Sequence, residues 1–574
     1  MSQEAATGAD LFVSALERYG VDYLFGNPGT TELPVMRALE DSDLEYVLGL
    51  HEDVAVGMAA GYVTARRSQR IRDASGGGSG REGEGPPPVG VVNLHVAPGL
   101  AHGLGNLYNA AKNGLPLVIT AGNHATSYRH EEPVLGGDLA RIAAPFVKWS
   151  DEVADVDALP TMVRRAVRTA CSPPTGPVFL SLPLDVMMAE TTAEPERLGR
   201  IPSAGRGEAR AISAAVDLLT DADEPVLVVG DGVARNGRAA VEAAVDFAEA
   251  LGARVHGEIL ASEVDFPTDH PQWVSNLPAG GDVPRRLMAT DTLVLAGTST
   301  NTPITRPDEP AYAPDTRTVQ IGDDPWQLGK HAPADAAVLG DPGDVLAELA
   351  GLVRERVSDA ERERRLEAVQ STKQEVAAAV ADAGTGDGAD ASRASKAQLV
   401  DAMRSVAPDA LVVDEGITTK YVFLSRAELA PGSWFSNKGA GLGYGLSAAV
   451  GAALAERDRA DPKDVLALVG DGSYLYYPHA MYSAARYDLD LTVVVSDNRN
   501  YRILKDNVLS LFGGEEADHG FVGMDFEPPV DLPGNARSMG ADARFVEDPD
   551  AIPDALRDAL ESPGPTVLDV LVHD

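Results

Sequence analysis

The chain of 574 residues carries 87 acidic and 48 basic side chains, a formal net charge of −39, and 44% of its residues are hydrophobic. That length exceeds a single hydrophobic core and calls for about three or four domains. The negative field repels nucleic acid and anionic membranes, and no run of about 18 apolar residues is present to span a bilayer.

The sequence starts MSQEAATGADLF, with neither the basic start nor the apolar stretch of a signal peptide. Apolar, β-branched runs then recur along the chain. They read as strands at Val21–Phe25, Val89–Leu94, Leu117–Ala121, Val178–Leu182, Val226–Val229, Leu293–Ala296, Leu411–Val413, Val465–Val469, Leu491–Val495 and Val567–Leu571. Few polar residues interrupt them, as in strands buried on both faces of a parallel sheet. Amphipathic stretches such as Ala211–Leu219 and Ala239–Leu251 lie between, so the expected fold is α/β, with three doubly wound parallel-sheet domains.

Composition sets the expected boundaries at residues 1–192, 208–354 and 396–574. A Pro- and Gly-rich connection covers Thr192–Gly207, and a charged helix running into a flexible hinge covers 355–395. Ser68–Pro88, SQRIRDASGGGSGREGEGPPP, reads as a low-complexity surface loop within the first domain. The lone cysteine, Cys171, excludes an intrachain disulfide framework, fits a reducing cytoplasm and reads as a small buried apolar residue.

The strand Val465–Val469 is followed by Gly470-Asp471-Gly472-Ser473, and the strand Leu491–Val495 by Ser496-Asp497-Asn498-Arg499-Asn500. Adjacent parallel strands bring such terminal loops into one crevice. A carboxylate and an amide beside a helix start make an oxygen site for Mg²⁺, whose remaining ligands are phosphate oxygens. The triplet alone is weak evidence, because Gly-Asp-Gly also makes ordinary turns. Gly230-Asp231-Gly232 shows this, since no Asn-bearing strand end follows it at similar range.

Gly470 to Asn500 resembles the thiamine diphosphate motif, with Asp497-Asn498 in place of the usual Asn pair. The chain is identified as a member of the thiamine diphosphate enzymes of the 2-oxo-acid decarboxylase and acetolactate synthase superfamily. By that resemblance Asp471 and Asn498 hold Mg²⁺ with their side chains and Asn500 with its carbonyl. Glu52, in Leu50-His51-Glu52, bonds the cofactor pyrimidine, where a carboxylic acid assists proton removal from the thiazolium. Asn437–Val450 resembles the segment under the cofactor, so Leu442 separates its rings and Ala440 meets the pyrimidine. Thr418, Gly472 and Ser473 are the expected diphosphate contacts. Active sites across a subunit interface, in a homodimer or homotetramer, are implied as well.

Three segments resemble the benzoylformate decarboxylases: Asn27-Pro28-Gly29-Thr30, Asn93-Leu94-His95, and Phe266-Pro267-Thr268-Asp269-His270-Pro271. They imply Thr30 as the carboxylate contact and His95 and His270 as acid–base residues for decarboxylation of a small 2-oxo acid to an aldehyde. Ile503, Asn507 and Val134 fall near pocket-shaping positions. FAD is not expected. An acetolactate synthase-like carboligase is the alternative. A nucleotide-binding protein is the third possibility, but no convincing G-x-G-x-x-G turn supports it.

The acidic residues are spread over helices and loops, and Arg outnumbers Lys, which reads as adaptation to a high-salt cytoplasm where screening removes self-repulsion. The unfolding midpoint should therefore rise between low salt and molar KCl. Equal midpoints throughout would contradict that reading.

Overall fold

The computed structural model describes residues 6–73, 88–279, 283–302, 312–383 and 393–574. They form three six-stranded sheets with helices on both faces, plus a two-residue antiparallel pairing of Ala6–Thr7 with Glu190–Thr191. Within the six-stranded sheets every pairing is parallel. All ten sequence-derived strands are present. The Val178–Pro183 and Leu491–Asp497 strands, for example, are buried along their whole length, as expected of Val- and Leu-rich strands covered on both faces.

The first sheet runs Glu45–Leu48, Tyr23–Gly26, Gly90–His95, Leu117–Asn123, Val178–Pro183, Ser150–Glu152. The third runs Trp434–Ser436, Leu411–Glu415, Val465–Gly470, Leu491–Asp497, Pro565–Leu571, Asp542–Val546. Numbered along the chain, both have the order 2-1-3-4-6-5, whereas the central sheet has 3-2-1-4-5-6. Ligands of such sheets lie beyond the strand carboxyl ends, where the winding direction reverses. In the first sheet that point falls between the strands ending at Gly26 and His95. In the third it falls between those ending at Glu415 and Gly470.

The first and third sheets share one core through two helices, Glu52–Asp73 and Tyr444–Arg457. Both are apolar and small along their length (AVGMAAGYVTA and YGLSAAVGAAL), and their backbones touch. A Cβ on Gly61 would lie 1.9 Å from the Ala448 carbonyl oxygen, and one on Gly451 would lie 1.9 Å from that of Met58. Gly57 meets Ser447 and Gly61 meets Ala448, so the helices run in the same sense and start at the same end.

Two expectations change. The segment expected to loop from Ser68 begins as the last turns of the Glu52–Asp73 helix. There Ser68, Gln69 and Ile71 are buried, and Gln69 Nε2 donates to the Ala455 carbonyl at 2.9 Å. Residues 74–87 of that stretch lie outside the described residues. The helix expected in the 355–395 linker is Asp359–Ala383, and it straps the central sheet rather than hanging between domains. Its buried Arg365 donates to the carbonyls of Leu251 (2.8 Å) and Ala222 (2.5 Å). Among the described residues no helix is long and apolar enough to cross a membrane.

Gly451→Ala should lower stability by about 1–3 kcal/mol, because overpacking forces the helices apart. Gly351 lies in the helix Pro342–Arg354 with nothing near its Cβ position, so Gly351→Ala should raise stability by about 0.5–1 kcal/mol. Urea unfolding of the two variants reads this difference. A shared direction of change would contradict the close helix contact.

Candidate active site

At the reversal point of the third sheet lies a cavity of about 70 Å³, bounded by Thr418, Leu442, Asp471, Asn498, Asn500 and Ile503, among others. Asp471 caps no hydrogen-bond network fully. Its Oδ1 accepts the Gly472 N–H at 2.8 Å, while Oδ2 is buried without a partner. Burial first, and then the nearby Asp497, push its pKa up to about 8. An unpaired buried carboxylate oxygen is costly unless a cation meets it.

The amides opposite are aligned by a residue that sequence reasoning missed. Asp574 Oδ1 accepts from Asn498 Nδ2 at 2.8 Å and from Asn500 Nδ2 at 3.1 Å. This leaves Asn498 its side-chain oxygen as a donor, while Asn500, expected to offer its backbone carbonyl, has a buried side-chain Oδ1 without a partner. These oxygens and Asp471 Oδ2 form a hard donor set suited to Mg²⁺. The triplet at Asp231 differs: its carboxylate accepts the Ser262 N–H at 2.8 Å and pairs with Lys438 at 2.6 Å. It is part of a closed ion-pair network between the central and third sheets.

Glu415 was also missed as a site residue. Its buried carboxylate accepts the N–H groups of Gly443, Tyr444 and Gly445 at 3.0, 3.2 and 3.1 Å, and burial pushes its pKa up to about 8. The start of the Tyr444 helix is thus tied to the strand end, which positions Leu442 at the cavity. Ser473 Oγ donates to the Glu415 carbonyl at 3.3 Å. The Gly472 N–H is taken up by Asp471, and the place of Gly472 rests on space as well, since a Cβ there would lie 2.6 Å from the Tyr501 ring.

Four of the nine non-glycine residues with positive φ among the described residues lie at the strand-end loops. Ile417, Ala440 and Arg499 have φ of 51°, 58° and 60°, and Val96, next to His95, has 41°. Each non-glycine residue held there costs about 1–3 kcal/mol and persists only where its surroundings fix it.

At the reversal point of the first sheet, the short 3₁₀ turn Thr30–Glu32 packs on His95. Glu32, fully buried, has its Oε2 2.7 Å from His95 Nδ1 and accepts the Gly29 N–H at 3.1 Å. Its Oε1 accepts from Thr31 Oγ1 and from the Gly122 N–H, each at 2.8 Å. The carboxylate makes His95 Nδ1 the donor, so Nε2 is the nitrogen available for proton transfer. Thr30 is exposed on this turn. The sequence showed Glu32 only inside the NPGTTEL run, three residues after Gly29; that spacing is the sole signal for its role. Glu52 begins the neighbouring helix, nearly buried, with Oε2 3.2 Å from His102 Nδ1. Glu52, His95 and Thr30 do not border the Asp471 cavity.

His270 requires a correction. Its segment is pinned to the third domain by Thr268, whose N–H donates to the Leu429 carbonyl at 3.1 Å and whose Oγ1 accepts the Leu429 N–H at 2.6 Å. Leu429 follows the helix Thr418–Arg426, which starts at the cavity and carries the chain roughly 13 Å away. There His270 Nδ1 accepts the Gln272 N–H at 3.2 Å, Nε2 faces Glu249 at 3.3 Å, and the ring stands edge-on to Phe266. These contacts hold the ring within the central domain, and it does not border the Asp471 cavity.

The fold and these two strand-end sites define a thiamine diphosphate enzyme. Residues 6–143, 212–349 and 416–570 match the N-terminal TPP binding, central and C-terminal TPP binding domains of the thiamine pyrophosphate enzymes, and the chain belongs to that family. It is 33% identical to benzoylformate decarboxylase of Pseudomonas aeruginosa over 97% of both chains. It is 27% identical to the acetolactate synthase large subunit of Parasynechococcus marenigrum, covering 99% of this chain and 88% of that one. The solved 4-hydroxybenzoylformate decarboxylase of Rhodococcus jostii RHA1 superimposes with a TM-score of 0.81, at 29% identity and 99% coverage of each chain.

Burial raises the Asp471 pKa to about 8, so a Mg²⁺ ion taken up there would displace a proton. Affinity of the apoprotein for Mg²⁺ with thiamine diphosphate should rise with pH, by up to about tenfold per unit, and level off above about 8. Titration calorimetry at several pH values reads this, and a flat profile from pH 6 to 8 would remove Asp471 from the metal set.

Proposed function

We propose that the chain is a Mg²⁺-dependent 2-oxo-acid decarboxylase that releases an aldehyde, of the benzoylformate decarboxylase kind. The observation that carries this reading is the His95–Glu32 pair beside the Thr30 turn. Thiamine diphosphate, when bound, supplies the carbon nucleophile and the electron sink for loss of carbon dioxide. Asp471, Asn498 and Asn500 would hold its metal. Glu52 would hold a proton at the pyrimidine ring, and Ala440 and Leu442 would support that ring system. Thr418 lies at the diphosphate end, with Gly472 providing room and Ser473 fixing the loop.

The residues of the chain then divide the work on the substrate. The Thr30 hydroxyl donates to the substrate carboxylate until it departs. His95, oriented through Nδ1 by Glu32, delivers and retrieves a proton at the substrate oxygen through Nε2. The Asp471 cavity is bordered by third-domain residues alone, which supports a site completed by Glu52 and His95 of a second copy of the chain, in a homodimer or larger homo-oligomer. Ile503 borders the cavity, while Asn507 is exposed on the following helix and Val134 on a surface loop.

Carboligation of the acetolactate synthase kind is the second reading, favoured by the near-complete coverage of that relative. A panel of 2-oxo acids with product analysis separates the two, since one yields aldehydes and the other 2-hydroxy ketones. His95→Ala should lower aldehyde formation by roughly 10²-fold, the scale of a positioned acid–base group. Near-normal aldehyde release by that variant would remove His95 from the acid–base role, and 2-hydroxy ketones as the main products of the unaltered chain would shift the assignment to carboligation.

A further inference from the structure

Lys438 lies in residues 437–443, the run that carries Ala440 and Leu442 from the strand Trp434–Ser436 to the helix Tyr444–Arg457. Its side chain leaves the third domain and enters the central one. Nζ pairs with Asp231 at 2.6 Å and with Glu258, and it donates to Ser299 Oγ at 3.0 Å. The side chains of Lys438, Asp231 and Glu258 are only 4%, 1% and 0% exposed. Burial alone pulls an ammonium pKa down, but Asp231 and Glu258 hold this one above its ordinary value, so the lysine is charged.

Asp231 follows the strand Val226–Val229, Glu258 follows Arg254–Gly257, and Ser299 follows Thr292–Ala296. They meet at the reversal point of the central sheet, where a sheet of this order takes its ligand. Here the crevice is filled from within. Glu258 Oε2 accepts the N–H groups of Ser299 and Thr300, each at 2.8 Å. A Cβ on Gly232 would lie 2.7 Å from the Gly297 Cα. The third-domain lysine stands where a bound molecule would.

The other side of the run meets the first domain through neutral hydrogen bonds. Asn113 Oδ1 accepts the Lys438 N–H at 3.0 Å. Asn109 accepts the Gly441 N–H at 3.1 Å and donates to the Gly441 carbonyl at 3.0 Å. Between these ties Ala440 is held at a φ of 58°. A buried ion group returns little net stability, because desolvation offsets its Coulombic gain. Its geometry is demanding all the same, since charge-assisted bonds are roughly twice as strong as neutral ones and a displaced ammonium would lose both carboxylates at once.

We infer that Lys438 is a positioning residue: anchored in the central-sheet crevice by Asp231 and Glu258, it fixes the turn on which Ala440 and Leu442 meet the cofactor ring system. The central domain thereby acts on the reaction without touching the reacting atoms. The inference rests on the cofactor roles proposed for Ala440 and Leu442.

Lys438→Met alone would leave two buried carboxylates unpaired and unfold the chain readily. The deciding variant is Lys438→Met/Asp231→Asn/Glu258→Gln, in which the three charges go together and little volume changes. Its apoprotein should keep a cooperative melt close to that of the parent. With saturating Mg²⁺ and thiamine diphosphate, hydrogen–deuterium exchange at the thiazolium C2 should slow by about 10²-fold, the cost of a displacement of about 1 Å. That exchange needs no substrate, so the choice between decarboxylation and carboligation does not affect it. Leu442→Ala, made in the parent, should slow the exchange as well. Parent-like exchange in the triple variant, with Leu442→Ala slow, would overturn the positioning role and leave the cofactor role of Leu442 intact. Parent-like exchange in both would overturn the two together. Loss of the cooperative melt in the triple variant would also overturn the inference, since the ion group would then hold the fold itself.

Discussion

The contact between the Glu52–Asp73 and Tyr444–Arg457 helices is the constraint on which the rest of the molecule depends. Glycine at 61 and 451 lets the two backbones meet at a distance that no side chain permits. One core then spans the first and third sheets, and the helices, running in the same sense, hold Glu52 and the Leu442 turn at one end of that core. Large side chains at the contact would separate the sheets and with them the two strand-end sites.

The site residues follow from a rule of winding repeated twice. The first and third sheets share one strand order, so each opens a crevice beyond the same pair of strand ends. In the first sheet the crevice holds a histidine oriented by a buried glutamate. In the third it holds a carboxylate with an unpaired oxygen and two amides aligned by Asp574. The strained residues Val96, Ile417, Ala440 and Arg499 sit at these same loops, where buried partners such as Glu415 hold the chain in place.

Much of this was legible in the sequence because it rests on local chemistry. Central strands announce themselves as unbroken Val and Leu runs, and Asp471 and Asn498 follow two such runs directly. Edge strands such as Glu45–Leu48, Ser150–Glu152 and Asp542–Val546 are partly exposed and polar, so no apolar run marks them. Ser68–Asp73 looks like loop by composition, yet it is helix because Gln69 and Ile71 meet the third domain. His270 shows the converse: a suggestive hexapeptide says nothing about which end of a sheet it packs against. Glu32 and Asp574 act through contacts 63 and 76 residues away in the chain, beyond the reach of any local pattern.

The central claim is that each active site joins Glu52 and His95 of one chain to Asp471 and Asn498 of another. Mixed oligomers of Glu52→Gln and Asp471→Ala, each inactive alone, test it directly. Sites built across chains give every hybrid dimer one intact site and one doubly altered site, so random mixing restores about a quarter of wild-type activity. Sites built within a chain leave every site altered, and a mixture as inactive as its parents would contradict the account.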